Sequence, residues 1–292
     1  MSIARLCLLL AVFLLPLLGG RSGVLPLAVF AVLAAGGWLA WAAGKPRAGW
    51  RAAPLGWPLL ALLAVTVLAT ITSVYRPASV LGVWQVAVTA ALALLALQVD
   101  MTRAQLWIGA RAFAAGVLAG LLYGFWGSYT WVEPLAWRVQ STWENANFYA
   151  AFLLLSLPLL AVCARVAPRR DERIGYLLIV LLGLVALVLT QSRGGLLAFL
   201  LALLAFAPAW LWAEGKLSGK AIGLLAAGFV LFVGIVLLSP LGKRVLDPAV
   251  RARQLHSQMF RVYTWHSDLR MVRDRPLLGF GPGTFPSVFG RY

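Results

Sequence analysis

The chain has 292 residues, of which 62% are hydrophobic and only 12% are charged. A soluble domain carries about 25% charged residues, so the composition excludes a soluble fold and predicts an all-α, polytopic transmembrane helical bundle. The net charge of +16 fits basic loops at a membrane or an anionic ligand, whereas nucleic acid is not expected, because no basic domain precedes the tail.

The cysteine and histidine residues do not form a recognisable site. Cys7 and Cys163 lie within apolar runs, which favours neither a disulfide framework nor a zinc site. His256 and His266 stand ten residues apart without an acidic partner pattern. The sequence therefore predicts no protein-bound metal and no cofactor.

Nine apolar runs follow one another, each close to the ~20 residues needed to cross the hydrocarbon core. The first run has Arg5 ahead of it but no A-x-A-like cleavage site, so we interpret it as a retained helix rather than a signal peptide. We predict a transmembrane bundle over residues 1–239 and the start of a large external loop over 240–292. The predicted spans are 3–19, 24–43, 55–73, 79–98, 104–126, 147–166, 174–190, 194–213 and 220–239.

The basic residues of the short loops predict the orientation. With a cytoplasmic N-terminus, eleven of them lie inside and only four outside. The outer four are Arg21, Arg76, Arg138 and Arg193. The middles of the spans hold almost no ionisable residues, whereas ion-coupled transporters carry them there, which disfavours a transporter.

The turn 190–195 (TQSRGG) separates two apolar runs that contain no charge. Its Arg193 therefore sits where the chain leaves the membrane and turns straight back. A guanidinium is a planar, permanently charged fork suited to phosphate. The turn is thus a candidate anion-binding element on the outer face.

The outer loop 127–146 carries three tryptophans, Trp131, Trp137 and Trp143. Two interpretations are open. They form an aromatic belt at the membrane interface, or they form a polar, aromatic lip that binds sugar rings.

The tail is predicted to contain one long helix, from the Asp247-Pro248 start to about Asp274. Its apolar residues recur at helical spacing, which predicts an amphipathic helix lying along the membrane surface. Residues 240–292 contain nine basic and only three acidic residues. This excess of positive charge predicts an anionic partner, either lipid headgroups or a lipid-linked phosphate. The predicted apolar stripe comprises Leu255, Met259, Val262, Leu269 and Val272.

The stretch 276–285 (PLLGFGPGTF) is rich in glycine. It lacks the Lys-Ser/Thr pair of a P-loop and the strand that precedes a Rossmann turn. Its glycines instead predict a backbone with open dihedral angles or a close approach to another segment.

Three motifs together resemble the O-antigen ligase and polymerase superfamily. Arg261-x-x-x-Trp265, followed by the stretch 276–285, resembles the external-loop signature of that family. Residues 189–194 (LTQSRG) look like its short external Ser-Arg turn, and 144–147 (ENAN) is similar to its Asn-x-Asn start of a span. The resemblance covers essentially the whole chain.

The resemblance implies transfer of glycan from undecaprenyl diphosphate at the periplasmic face of the inner membrane, without a metal. The acceptor is lipid A-core in ligases, a growing glycan in polymerases and protein in related transferases. Arg193 and Arg261 match the two arginines that hold the diphosphate, where negative charge develops on the leaving group. Residues implied to position the substrate or its loops are Ser192, Asn147, Trp265, Gly279, Gly281 and Gly283.

One departure from the family is visible. The family's catalytic histidine belongs to a motif downstream of the glycine-rich stretch, and the sequence stops at Tyr292 before reaching it. His256 and His266 precede that stretch and do not match. We therefore expect an N-terminal part of a longer reading frame, inactive as it stands; the alternatives are a non-catalytic membrane protein that binds lipid-linked glycan, or a transporter.

Overall fold

A computed structural model describes residues 2–20, 23–44, 54–130, 138–216, 218–238 and 248–292. Every regular element within these ranges is helical, so the predicted all-α class is confirmed. The helices are α1 (Ile3–Leu18), α2 (Val24–Ala43), α3 (Gly56–Ile71), α4 (Arg76–Gln98), α5 (Arg103–Thr130), α6 (Ala146–Val166), α7 (Arg170–Leu189), α8 (Arg193–Ala213), α9 (Gly219–Leu238), α10 (Pro248–Asp274) and α11 (Phe285–Val288), followed by a 3-10 turn over Phe289–Arg291.

The nine predicted spans all correspond to apolar helices. Six helices of the described chain are long and apolar enough to cross a membrane, namely α2, α4, α5, α6, α7 and α8. α1, α3 and the central part of α9 are shorter apolar helices. The predicted domain boundary after residue 239 lies outside the described residues.

Hydroxyl groups within the apolar helices bond to their own backbone. Thr66 donates to the carbonyl of Leu62 at 2.7 Å, and Ser156 donates to the carbonyl of Phe152 at 2.8 Å. A hydroxyl that bonds one turn back needs no water. These polar residues are therefore compatible with a helix in lipid, where every polar group must be satisfied internally.

The chain divides into two compact units. The first unit comprises Met1–Ala11, Gly23–Ile108 and Ala252–Tyr292, and the second comprises Val12–Ser22 and Gly109–Arg251. In the first unit, α4 packs against α2 and α3. In the second unit, α6 packs against α7 and α8.

Helix α6 supplies much of the buried core of the second unit. Tyr149, Leu153, Leu157 and Leu160 are each at most 3% exposed and recur at three- and four-residue spacing along one face. Asn145 caps the helix, because its side chain accepts a hydrogen bond from the backbone of residue 147. The sequence thus fixes where this central helix begins and which face it buries.

Candidate functional site

Only residues 190–192 separate α7 from α8, and all three are buried. The Thr190 hydroxyl donates to the carbonyl of Leu187 at 2.6 Å, and it accepts from the backbone N–H of Ser192 at 3.2 Å. Thr190 is 0% exposed and Ser192 is 4% exposed. The turn is therefore held in one shape by its own hydroxyl groups rather than by solvent.

Ser192 caps α8 by accepting a hydrogen bond from the backbone N–H of Gly195 at 3.2 Å. Arg193 is the first residue of the helix, and its side chain is exposed. Gln191 has a φ of 52°, which is uncommon for a residue other than glycine and recurs at ligand-binding sites. The turn thus presents one exposed guanidinium from a fixed, buried base.

Arg138 links this turn to the start of α6. Its Nε donates to the carbonyl of Thr190 at 2.7 Å, and its Nη2 donates to Oδ1 of Asn147 at 2.9 Å. The adjacent backbone N–H of Val139 donates to the carbonyl of Leu189 at 3.0 Å. The Ser-Arg turn and the Asn-x-Asn motif, which lie apart in sequence, therefore meet on one guanidinium.

Trp143 packs into the second unit. Its indole N–H donates to the carbonyl of Pro16 at 3.3 Å, and its ring stacks on Phe152 with 4.9 Å between ring centroids. Trp143 is thus a packing residue in this structure. The other two tryptophans of the loop, Trp131 and Trp137, lie outside the described residues.

In the first unit, the glycine-rich stretch docks onto residues 72–79, which comprise the turn after α3 and the first turn of α4. The backbone N–H of Val74 donates to the carbonyl of Phe280 at 3.1 Å, and the Ser79 hydroxyl donates to the carbonyl of Pro282 at 2.9 Å. Arg275 donates from Nη1 to the carbonyl of Thr72 at 3.2 Å. Both of the hydrogen bonds from Val74 and Ser79 therefore go to backbone carbonyls of the glycine-rich stretch.

The glycines of this stretch have the conformations that the sequence predicts. Gly279, Gly281 and Gly283 have φ values of 63°, 106° and 72°. A Cβ on Gly281 would lie 2.4 Å from the Ser73 hydroxyl oxygen and 2.6 Å from that of Ser79. Gly281 is therefore required both by its dihedral angle and by the space around it.

The end of the tail closes back onto α10. The Tyr292 hydroxyl donates to the carboxylate of Asp274, and this hydrogen bond raises the pKa of the phenol above its ordinary value. The Tyr292 ring also meets the edge of Phe280, with 6.0 Å between centroids. The glycine-rich stretch is thus also held, at Phe280, by the last residue of the sequence.

Helix α10 runs from Pro248 to Asp274, as the sequence predicts. Arg261 and Trp265 lie one turn apart on the same face of the helix, and both are exposed, the tryptophan by 66%. The described side chains of the predicted apolar stripe are also exposed, being Met259, Val262, Leu269 and Val272.

The predicted site residues thus fall into two groups. In the second unit, Ser192 and Arg193 share a turn that Arg138 joins to Asn147. The first unit holds Arg261 and the other group members, namely Trp265, Gly279, Gly281 and Gly283.

Sequence reasoning did not assign a role to Arg138. The signal was present, because Arg138 is a basic residue in a predicted outer loop, the same feature that singled out Arg193. The sequence alone does not show that Arg138 forms a hydrogen bond with Thr190, because 52 residues separate the two.

Residues 178–292 match the family model described as Wzy_C, O-antigen ligase. The matched segment includes Arg193, Arg261 and the glycine-rich stretch, whereas Arg138 and Asn147 precede it. No curated protein and no solved structure matches the chain. Residues 178–292 of this chain, an integral membrane protein by its apolar helices, are therefore similar to the O-antigen ligase family.

Proposed function

We propose that the protein takes part in transferring glycan from undecaprenyl diphosphate to an acceptor such as lipid A-core, at the periplasmic face of the bacterial inner membrane. The family implies glycosyltransferase activity in lipopolysaccharide biosynthesis. The donor, the acceptor and the face are our proposal.

The observation that carries this proposal is the presentation of Arg193. The guanidinium stands at the first residue of α8, where the helix dipole also favours an anion. The turn beneath it is buried and internally hydrogen-bonded. A cation held in place before the ligand arrives stabilises the developing charge of a leaving diphosphate better than a flexible one.

Loop contacts within the second unit support the proposed orientation. The loops 138–147 and 189–195, both predicted to lie outside, contact each other through Arg138. Arg165 and Glu214, both predicted to lie inside, form an ion pair at 2.6 Å. These contacts join loops that the N-inside topology places on the same side.

For the first unit, we propose that Arg261 binds the diphosphate as the second cation and that Trp265 stacks against a sugar ring. Their exposure on one face of α10 supports this assignment. Ser192 and Asn147 are proposed to position the Arg193 turn. Gly279, Gly281 and Gly283 are proposed to hold the loop that follows α10.

Breaking the bond between sugar and diphosphate leaves negative charge on the phosphate oxygens. A guanidinium group suits that charge, because it is able to form two parallel hydrogen bonds with phosphate. One preorganised donor at such a position lowers a barrier by about 3–4 kcal/mol. Lysine lacks this fork and is expected to substitute poorly.

The test uses purified protein in proteoliposomes with an undecaprenyl diphosphate-linked glycan and lipid A-core. We expect Arg193→Ala and Arg261→Ala each to weaken donor binding at least tenfold, and Arg193→Lys to be similarly impaired. Arg103→Ala, at the first residue of α5, is the matched control for Arg193, and Arg270→Ala serves for Arg261.

Wild-type donor affinity in folded Arg193→Ala and Arg261→Ala would contradict the proposed site. Glycan transfer by the wild type supports the enzymatic role. Tight donor binding without any transfer, by a protein that also carries the family's downstream histidine motif, would instead favour the non-catalytic binding protein.

A further inference from the structure

Helices α3 and α4 leave a groove of about 620 Å³ between them in the first unit. The volume falls within the roughly 300–1,000 Å³ of small-molecule sites. Apart from Thr70 and Arg76, its walls are apolar. The main apolar lining residues are Val67, Ile71, Val80, Val83 and Trp84.

The groove has a polar end and an apolar end. Arg76 is the first residue of α4, and Ala87 is the deepest lining residue of that helix. At 1.5 Å per residue, the groove extends about 16 Å along α4. That is about half of the ~30 Å hydrocarbon core, so the length of the groove matches the depth of one membrane leaflet.

Arg76 is placed to receive an anion. Its side chain is exposed, and the ion pairs and hydrogen bonds found among the described residues do not include it. The first turn of α4 adds the positive end of a helix dipole beside it. Charge at the surface and apolar depth below it match the two ends of a phospholipid.

A second groove, in the second unit, also contains arginines but differs from the α3–α4 groove in how they are paired. It has a volume of about 480 Å³ and is also lined by arginines, Arg111 and Arg169. Each of these is already paired with a carboxylate, Arg111 with Glu172 at 2.7 Å and Arg169 with Asp171 at 2.8 Å. The positive charge of that groove is therefore largely neutralised, which makes it a poorer anion-binding site than the α3–α4 groove.

We propose that the α3–α4 groove binds one acyl chain of an anionic phospholipid from the leaflet that borders Arg76, with the lipid phosphate on the Arg76 guanidinium. The lipid has a net negative headgroup, because a zwitterionic headgroup brings its own ammonium to compete with the arginine. The site is independent of the proposed glycan transfer.

The first experiment needs no variant. Wild-type protein in nanodiscs is photolabelled with phosphatidylglycerol that carries a diazirine in its acyl chain, and the labelled peptides are mapped. We expect labelling concentrated on 67–71 and 80–87. Labelling spread evenly over the lipid-exposed helices would overturn the site.

The same label identifies the occupant. Unlabelled phosphatidylglycerol is expected to displace it at lower concentration than phosphatidylcholine or undecaprenyl phosphate does. Displacement by undecaprenyl phosphate at the lower concentration would overturn the assignment to a phospholipid.

The second experiment measures phosphatidylglycerol binding by native mass spectrometry. Arg76→Ala is expected to weaken binding about fivefold, the equivalent of about 1 kcal/mol for one surface arginine. Arg76→Lys should retain binding because it keeps the charge. Unchanged affinity in folded Arg76→Ala would contradict the proposal, and if that variant does not fold, the photolabelling of the wild type decides.

A matched pair tests the apolar part. Val80 lines the groove and is 49% exposed, whereas Val65 is 50% exposed on the same pair of helices but does not line it. Val80→Trp should block binding and Val65→Trp should not. Equal binding by the two variants would overturn the location.

Discussion

The turn 190–192 and the stretch 279–283 are both short segments in which candidate residues lie, and they are held in opposite ways. In the turn, side chains of Thr190, Ser192 and Arg138 satisfy the backbone. In the glycine-rich stretch, glycines without side chains let the backbone approach residues 72–79 closely.

The comparison shows that a motif can specify either hydrogen-bonding side chains or the absence of a side chain. A turn held by side chains depends on hydrogen-bonding groups, so conservative replacements that keep those groups should preserve it. A stretch held by close backbone approach depends on empty space, so even one methyl group should disrupt it. The following substitutions test this contrast, from the largest expected effect to the smallest.

Gly281→Ala is expected to destabilise the protein by about 2–4 kcal/mol, combining a positive φ with overpacking. Its Cβ would collide with the Ser73 and Ser79 hydroxyl oxygens. The matched variant Gly279→Ala shares the positive φ but meets open space, and should cost only about 1–2 kcal/mol. Unfolding in mixed detergent micelles measures both, and equal losses would contradict the proposed role of space.

Arg138→Ala is expected to destabilise the protein by about 1.5–3 kcal/mol, because a charged donor is lost and a buried carbonyl of Thr190 is left without it. Asn147→Ala removes only one of the two hydrogen bonds and should cost less. Both are compared by the same unfolding measurement. An Arg138→Ala variant as stable as the wild type would show that the guanidinium does not hold the two motifs together.

Gly194 and Gly195 are adjacent in the first turn of α8, and replacing each with alanine is expected to change the stability with opposite signs. A Cβ on Gly195 would lie 2.9 Å from the Cβ of Ala150, so Gly195→Ala should destabilise by about 1–2 kcal/mol. A Cβ on Gly194 meets nothing within 4 Å, and Gly194→Ala should stabilise by about 0.4–1 kcal/mol. Thermal unfolding of the two proteins decides, and the reverse order would refute the packing described for this turn.

Ser192→Ala removes the cap of α8 and should cost about 1 kcal/mol. Ser192→Asn keeps a capping oxygen and should retain most of the stability. The unfolding midpoint of each variant is the measurement. A loss as large in the asparagine variant would mean that the site has no room for it rather than that the cap matters.

The spans could be predicted from the sequence because the length of an apolar run is set by the thickness of the membrane. Their ends were less accurate. α4 begins at Arg76 rather than at residue 79, since Pro77 suits the first turn of a helix. α5 extends to Thr130 rather than to residue 126, because polar residues continue the helix beyond the apolar run.

The motifs of the candidate site could be found in the sequence, but not their partners. The hydrogen bond of Arg138 crosses 52 residues, and that of Ser79 to Pro282 crosses 203. Contacts over such separations leave no periodic pattern in a single sequence. The roles of Arg193 and Arg261 in binding diphosphate stay predictions.

The measurement that bears most directly on the central claim is the affinity of the purified protein for undecaprenyl diphosphate and undecaprenyl monophosphate. Because a diphosphate offers a guanidinium more negative charge and more acceptor oxygens than a monophosphate, we expect the wild type to prefer the diphosphate. Arg193→Ala should bind the diphosphate at least tenfold more weakly, with its unfolding midpoint unchanged and with Arg103→Ala behaving like the wild type. Equal diphosphate affinity in the wild type and a folded Arg193→Ala protein would contradict the claim.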